Sequence, residues 1–193
     1  MSPPDYDAVC RAAERISPYL NPTPVRALPG RSDYLKLENL QATGAYKVRG
    51  ALNALLVQTE RGDHRPVVAA SAGNHSAGMA WAARRLGLKA TAVVPESAPR
   101  RKIEATAALG AEVIVAGADF EAAERYARSL ANTRGWRFLH PFDDPDVIAG
   151  QGSVALELLA YRPDRVLVPI GGGGLISGIA LVMARYGIPV FGV

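Results

Sequence analysis

Three short stretches of this chain carry residue types suited to chemistry. The first is GAYKVRG, Gly44 to Gly50, which sets Lys47 among small and aromatic residues and two positions before Arg49. The chain has four lysines, Lys36, Lys47, Lys89 and Lys102, and Lys47 is the one bracketed by glycines. A lysine amine becomes a Schiff-base nucleophile when burial and neighbours lower its pKa. Arg49 is placed to contribute electrostatically. The second stretch is GGGGL, Gly171 to Leu175, lying between an apolar run and a helical pattern. Without side chains, successive N–H groups can converge on an anion, and the positive end of the following helix adds to the attraction. Other nucleotide motifs fit badly. A Walker A loop needs Lys and Ser/Thr where Leu175 and Ile176 stand, and a G-x-G-x-x-G pattern begun at Gly171 fails at Ile176.

The third stretch is SAGNH, Ser71 to His75, again between an apolar run and a helical pattern. Such a turn lies at the carboxyl edge of a parallel sheet, where open α/β folds bind ligands. Ser71, Asn74 and the N–H groups of the turn are suited to a carboxylate or a phenolic oxygen. A second reading is open, in which Ser71 or Asn74 simply caps the helix. A reactive amine, a polar turn and an anion cradle, in that order, suggest a phosphate cofactor held covalently.

The elements that must position these residues follow from periodicity and from Gly/Pro punctuation. Residues 5–18 read as a helix started by Asp5 or Asp7 and ended by Pro22 and Pro24. DYLKLE, Asp33 to Glu38, alternates as a strand does, and Lys47 opens a helix through about Gln58. Apolar runs at Val67–Ser71, Ala90–Pro95, Glu112–Val115 and Phe138–His140 alternate with helical patterns at Ser76–Leu86, Pro99–Leu109 and Phe120–Thr133. This alternation predicts a parallel sheet covered on both faces. Beyond it come a helix over Asp144–Leu159 interrupted by GQG, a strand over Val166–Ile170, a helix over Leu175–Tyr186 and a strand beginning at Pro189. The expected division is a small α/β domain, 51–145, inserted into a larger one made of 1–50 and 146–193. The two flanks are expected to pair in a second sheet. The chain ends at Val193 in what reads as the middle of that sheet, so the larger domain is expected to be incomplete.

Composition excludes several classes. The net charge of +4 is spread without a run of five like charges, which argues against a nucleic-acid surface. The uncharged stretch Val166–Ala184 has about the length of a bilayer span, but Pro169 and four glycines would break a lipid-exposed helix. No membrane association, no metal site and a cytoplasmic protein are therefore expected. Cys10 is the single cysteine, so no internal disulfide can form.

The longer segments around the three motifs are KLENLQATGAYKVRGA, SAGNHSAGMAWAARRLG and VPIGGGGLISG. In order and spacing they resemble the fold-type II pyridoxal-phosphate enzymes, and within them the serine/threonine dehydratases (threonine ammonia-lyases). The resemblance covers nearly the whole chain and corresponds to the N-terminal portion of such an enzyme. It implies a tryptophan synthase beta-like fold, with two three-layer domains built on parallel sheets, the second incomplete here. It implies pyridoxal 5'-phosphate held by Lys47 as an internal aldimine, with Tyr46 where the family usually has phenylalanine. Asn74 would bond the cofactor's 3'-oxygen, and Gly171, Gly172, Gly173, Gly174 and Leu175 would cradle its phosphate. Ser71, Ala72, Gly73, Asn74 and His75 would surround the substrate carboxylate. The implied reaction is dehydration and deamination of L-threonine or L-serine to a 2-oxo acid and ammonia, with Lys47 removing the α-proton. The implied partners are the amino-acid substrate and further copies of the chain in a dimer or tetramer. Racemases resembling this pattern carry serine where this chain has Ala72, so elimination is expected over racemisation. The alternatives are a racemase or β-replacement enzyme of the same fold, or a non-catalytic truncated remnant.

Overall fold

Three helices begin at an aspartate whose side chain takes up otherwise unpaired N–H groups of the first turn. Asp5 caps α1 (Tyr6–Ile16), Asp119 caps α5 (Phe120–Arg134) and Asp144 caps α6 (Pro145–Leu158). The computed structural model describes residues 3–193. The other helices are α2 (Lys47–Glu60), α3 (Asn74–Arg85), α4 (Arg100–Ala108) and α7 (Gly174–Arg185). The strands are β1 (Val25–Ala27), β2 (Tyr34–Lys36), β3 (Val67–Ala70), β4 (Ala90–Val94), β5 (Glu112–Val115), β6 (Arg137–Phe138), β7 (Val166–Val168) and β8 (Val190–Gly192).

β3 to β6 form one parallel sheet in the order β5-β4-β3-β6. Every residue of β3 and β4 is buried, which explains why these strands read as unbroken apolar runs. Side chains alternate across the sheet. Val67, Ala69 and Ala92 pack with Leu52, Leu55 and Met79 of α2 and α3, while Val68, Ala70 and Val93 pack with Ala123, Ala127 and Leu130 of α5. The strand order also locates a crevice. From β3 the chain steps outward to β4 and β5, then crosses back to lay β6 on the other side of β3. The loops after β3 and β6 thus diverge at a topological switch point, where ligands bind in open α/β sheets.

Outside this sheet, β1 and β2 pair antiparallel, and β7 and β8 pair parallel. Among the described residues these are two separate small sheets, so the expected pairing of the two flanks with each other is not seen. Instead the flanks meet through helices. α1, α6 and α7 bury Val9, Ala12, Val154, Ala155, Ile179 and Met183 in a second core. The boundary expected between residues 50 and 51 falls inside α2, which packs on α3 and also on α6.

α6 also corrects an expectation, because it runs unbroken through Gly150-Gln151-Gly152. The glycines are contact points and do not interrupt the helix. A Cβ on Gly150 would stand 2.6 Å from the Cα of Gly50 in α2, and one on Gly152 would stand 2.7 Å from the carbonyl oxygen of Gly178 in α7. Two helices approach α6 at backbone contact, so the helix-propensity penalty of glycine is outweighed by packing. Element ends also differ. α1 stops at Ile16, just before Pro18, and β6 covers Arg137–Phe138 in place of Phe138–His140. Among the described residues no helix is long and apolar enough to cross a membrane, and no cluster of three or more His, Cys, Asp or Glu is placed to hold a metal.

Candidate active site

Lys47 is the first residue of α2. Its side chain is half-buried, and burial lowers its pKa from the ordinary lysine value. The amine donates to the carbonyl oxygen of Pro141 at 2.7 Å, its one hydrogen bond among the described residues, and lies 5.4 Å from the centre of the Tyr46 ring. A carbonyl holds the amine in place without adding the negative charge that would keep it protonated. Burial raises the Tyr46 phenol.

Arg49 does not play the part expected of it. Its guanidinium is buried and occupied by Glu38, at 2.8 Å from Nε and 2.8 Å from Nη2, and by Glu157, at 2.6 Å from Nη1. Lys36 also pairs with Glu157 and donates to the Thr23 carbonyl at 2.6 Å. Two cations and two carboxylates neutralise one another, and the fall in the Lys47 pKa comes from burial.

The SAGNH turn follows β3 at the switch point. Ser71 continues the strand with an N–H to Val93 O at 3.1 Å, and its Oγ accepts the N–H of Gly73 at 3.1 Å. α3 starts with Gly73 as its cap residue and no side-chain cap, so the capping reading of this turn does not hold. The first N–H groups of α3, including those of Asn74 and His75, are those a helix leaves without internal partners. Ser71, Ala72 and Gly73 are partly accessible and Asn74 is exposed. His75 is placed differently from its neighbours. Its side chain is 3% exposed and points away from solvent, with Nε2–H donating to Leu139 O at 3.0 Å. That bond fixes the neutral tautomer and leaves Nδ1 buried without a partner among the described residues.

Burial pushes His75 down to about 4, against a backbone hydrogen bond that raises it and the Lys47 charge that lowers it further. A group whose folded pKa lies below its unfolded one binds fewer protons when folded, so stability rises with pH between the two values. Acidification from about 6.5 toward 4 is therefore expected to remove up to about 3 kcal/mol, at about 1.4 kcal/mol for each pH unit between the two values. Urea unfolding at several pH values checks this. His75→Gln should be less stable at neutral pH yet show a flatter dependence across that window, and an unchanged slope would exclude His75 as the source.

The glycine loop joins β7 to α7. The first hydrogen bond into α7 runs from Ser177 N–H to Gly173 O at 2.9 Å, so the N–H groups of Gly174, Leu175 and Ile176 precede the helical ladder. The four glycines divide their work by alternation. At Gly171 and Gly173 no atom of the described residues beyond the adjoining chain lies within 4 Å of where a Cβ would stand, and Gly173 has φ +86, a left-handed conformation that glycine adopts without strain. Gly172 and Gly174 face the other way and lie against Phe142. A Cβ on Gly172 would stand 2.2 Å from the Phe142 ring, and one on Gly174 would stand 2.9 Å from the Phe142 Cα. One side of the loop is thus packed and the other is open, with free N–H groups at a helix start. A phosphate monoester fits such a cradle, and an amine of lowered pKa fits the aldehyde of pyridoxal phosphate.

The three motifs are joined through one segment that belongs to none of them. Leu139 touches His75, Pro141 touches Lys47 and Phe142 touches the glycine loop. α3 also meets the start of α2 directly, since a Cβ on Gly78 would stand 3.1 Å from the carbonyl carbon of Lys47.

Comparison with known proteins places relatives beside this chain. The chain is 51% identical over 149 residues to an L-threonine ammonia-lyase of Geobacter sulfurreducens, a match covering 76% of this chain and 37% of that one. A solved structure of a pyridoxal 5'-phosphate-dependent aspartate racemase superposes with TM-score 0.94 at 40% identity, covering 98% of this chain and 62% of the racemase. The processed form of a threonine deaminase from Solanum lycopersicum superposes with TM-score 0.88 at 32% identity, covering 99% of this chain and 57% of that one. The chain spans little more than a third of the Geobacter relative's length. Residues 16–193 match the sequence model of the PALP family, described as "Pyridoxal-phosphate dependent enzyme", and the chain belongs to that family.

Proposed function

We propose that this chain carries the lysine, the phosphate loop and the substrate turn of an ammonia-lyase acting on L-threonine or L-serine. The observation that carries the reading is the bond from Lys47 Nζ to Pro141 O, in a segment whose next residue packs on the glycine loop. It is supported by the threonine ammonia-lyase and threonine deaminase relatives. When bound, pyridoxal phosphate supplies the electron sink for charge developing at the substrate's α-carbon. The chain's own residues supply the rest. Lys47 would hold the cofactor through its aldehyde and, as the free amine, would take the α-proton at Nζ. Its lowered pKa favours the neutral amine that both roles require. Gly171 to Leu175 and the start of α7 hold the phosphate. The first N–H groups of α3, that of His75 among them, with Ser71 to Asn74, would receive the substrate carboxylate, and Asn74 would bond the cofactor's phenolic oxygen; the buried His75 side chain takes no part. Tyr46, whose ring centre is 5.4 Å from Lys47 Nζ, would line the cofactor site. The β-hydroxyl would leave as water, and the dehydrated product would be hydrolysed by water to a 2-oxo acid and ammonia.

A second reading, racemisation, is favoured by the aspartate racemase superposition. Ala72 weighs against it, because a side chain without an ionisable group cannot return a proton to the opposite face. The test is parallel measurement of 2-oxo acid and of D-amino acid from L-threonine and L-serine. D-Serine formed as fast as pyruvate would overturn the elimination reading. The proposal extends to residues 51–145 as a small domain, supported by the four-stranded sheet lying wholly within them. Cytoplasmic residence is proposed on the composition, and a dimer or tetramer on the family resemblance.

A further inference from the structure

Leu139 to Phe142, between β6 and α6, makes a different contact with each of its four residues. Leu139 N–H donates to Val68 O at 2.8 Å, which ties the segment to β3, and its carbonyl accepts from His75. His140 Nδ1 accepts the N–H groups of Phe142 at 3.3 Å and Asp143 at 2.8 Å, which closes the turn from inside. The same ring meets Phe142 edge-on, with centroids 4.6 Å apart. Pro141 has its φ fixed by its own ring and turns its carbonyl to Lys47. Phe142 then lies under Gly172 and Gly174. A run of four glycines has more conformational freedom than other loops of that length, so presenting its N–H groups to an anion requires a wall on the opposite side.

We propose that Leu139–Phe142 is a positioning strap, in which Phe142 holds the glycine loop in its anion-binding shape and fixes the loop's place relative to the Lys47 amine. The inference rests on the cofactor site proposed above. Phe142 acts through the loop and is a positioning residue, which separates its effect from that of Lys47. Phosphate affinity depends on the strap, whereas capture of the aldehyde depends on the amine.

The experiment compares pyridoxal 5'-phosphate with pyridoxal, which lacks the phosphate, by equilibrium absorbance titration of the unaltered protein, Phe142→Ala and Phe142→Leu. Borohydride trapping and peptide mapping locate the bound label. Phe142→Ala is expected to weaken pyridoxal phosphate binding about tenfold or more, through lost preorganisation. Pyridoxal binding should stay within about twofold, because Lys47 is untouched. Phe142→Leu should fall between, and both ligands should label Lys47. If Phe142→Ala does not unfold cooperatively, Phe142→Leu decides by the same ratio. Equal weakening of both ligands, or no change in either, overturns the strap's role. Failure of the unaltered protein to bind pyridoxal phosphate overturns the site assignment itself, and the strap's role with it.

Discussion

Lys47→Ala is expected to abolish covalent attachment of pyridoxal phosphate and to lower L-threonine turnover by at least about 10²–10⁴-fold, the usual contribution of general acid–base catalysis alone. The expectation follows from two roles resting on one amine. Burial lowers the Lys47 pKa, and its amine meets the segment joining the other two motifs. Borohydride trapping should label Lys47 in the unaltered protein and nothing in the variant. The loss should be partly restored by small exogenous amines, which replace the proton acceptor but not the tether. A pH profile adds an independent reading. The neutral amine is the reactive form, so the rate of cofactor capture should rise with pH and level off below the ordinary lysine pKa. A variant that still labels at one position, or that turns over within tenfold of the parent, would remove Lys47 from the mechanism.

Much of this site was legible because its chemistry lies in side chains and glycines that break local rules. Four consecutive glycines and a lysine between glycines carry information at short range. The β3-to-β6 region was legible too, since parallel strands buried on both faces appear as apolar runs between helical patterns. What escaped depends on distance in sequence or on the backbone. The acceptor for Lys47 is a carbonyl, so no residue type announces Pro141. Phe142 gains its meaning from Gly172, and Glu157, one of the two carboxylates that occupy Arg49, is 108 residues away. β1 is three residues following a proline and becomes a strand by pairing with β2. The GQG of α6 shows the same limit from the other side. Local propensity argues for a break, and only the approach of α2 and α7 shows why glycine is required inside an intact helix.

Replacing Arg49 is expected to destabilise the protein by about 3–5 kcal/mol, the range for removing one partner of a buried ion pair. With 2% exposure, Arg49 ties Glu38, which precedes the Lys47 loop, to Glu157 of α6. Arg49→Met keeps the bulk but leaves Glu38 with the Thr23 hydroxyl, and Glu157 with Lys36 and the Thr23 N–H. Arg49→Lys should recover only part, because an ammonium cannot reproduce a fork that meets two carboxylates at once. The pH dependence carries a sign that mere loss of packing would not. Burial acts to raise the Glu157 pKa, but hydrogen bonds from Arg49 and Lys36 outweigh it and hold the carboxyl below its ordinary value. A depressed carboxylate contributes stability above its unfolded pKa and loses it as pH falls through the folded one. The deficit of Arg49→Met should therefore be largest near neutrality and shrink on acidification into the carboxylate range. Chemical unfolding of both proteins across that range reads this directly, and a deficit independent of pH would assign the loss to packing. Because the same guanidinium closes the segment from Glu38 to Lys47, Arg49→Met should also slow borohydride-trappable capture of the cofactor while leaving Lys47 as the labelled residue. Arg49 then acts on the site through the shape of the loop that presents the amine.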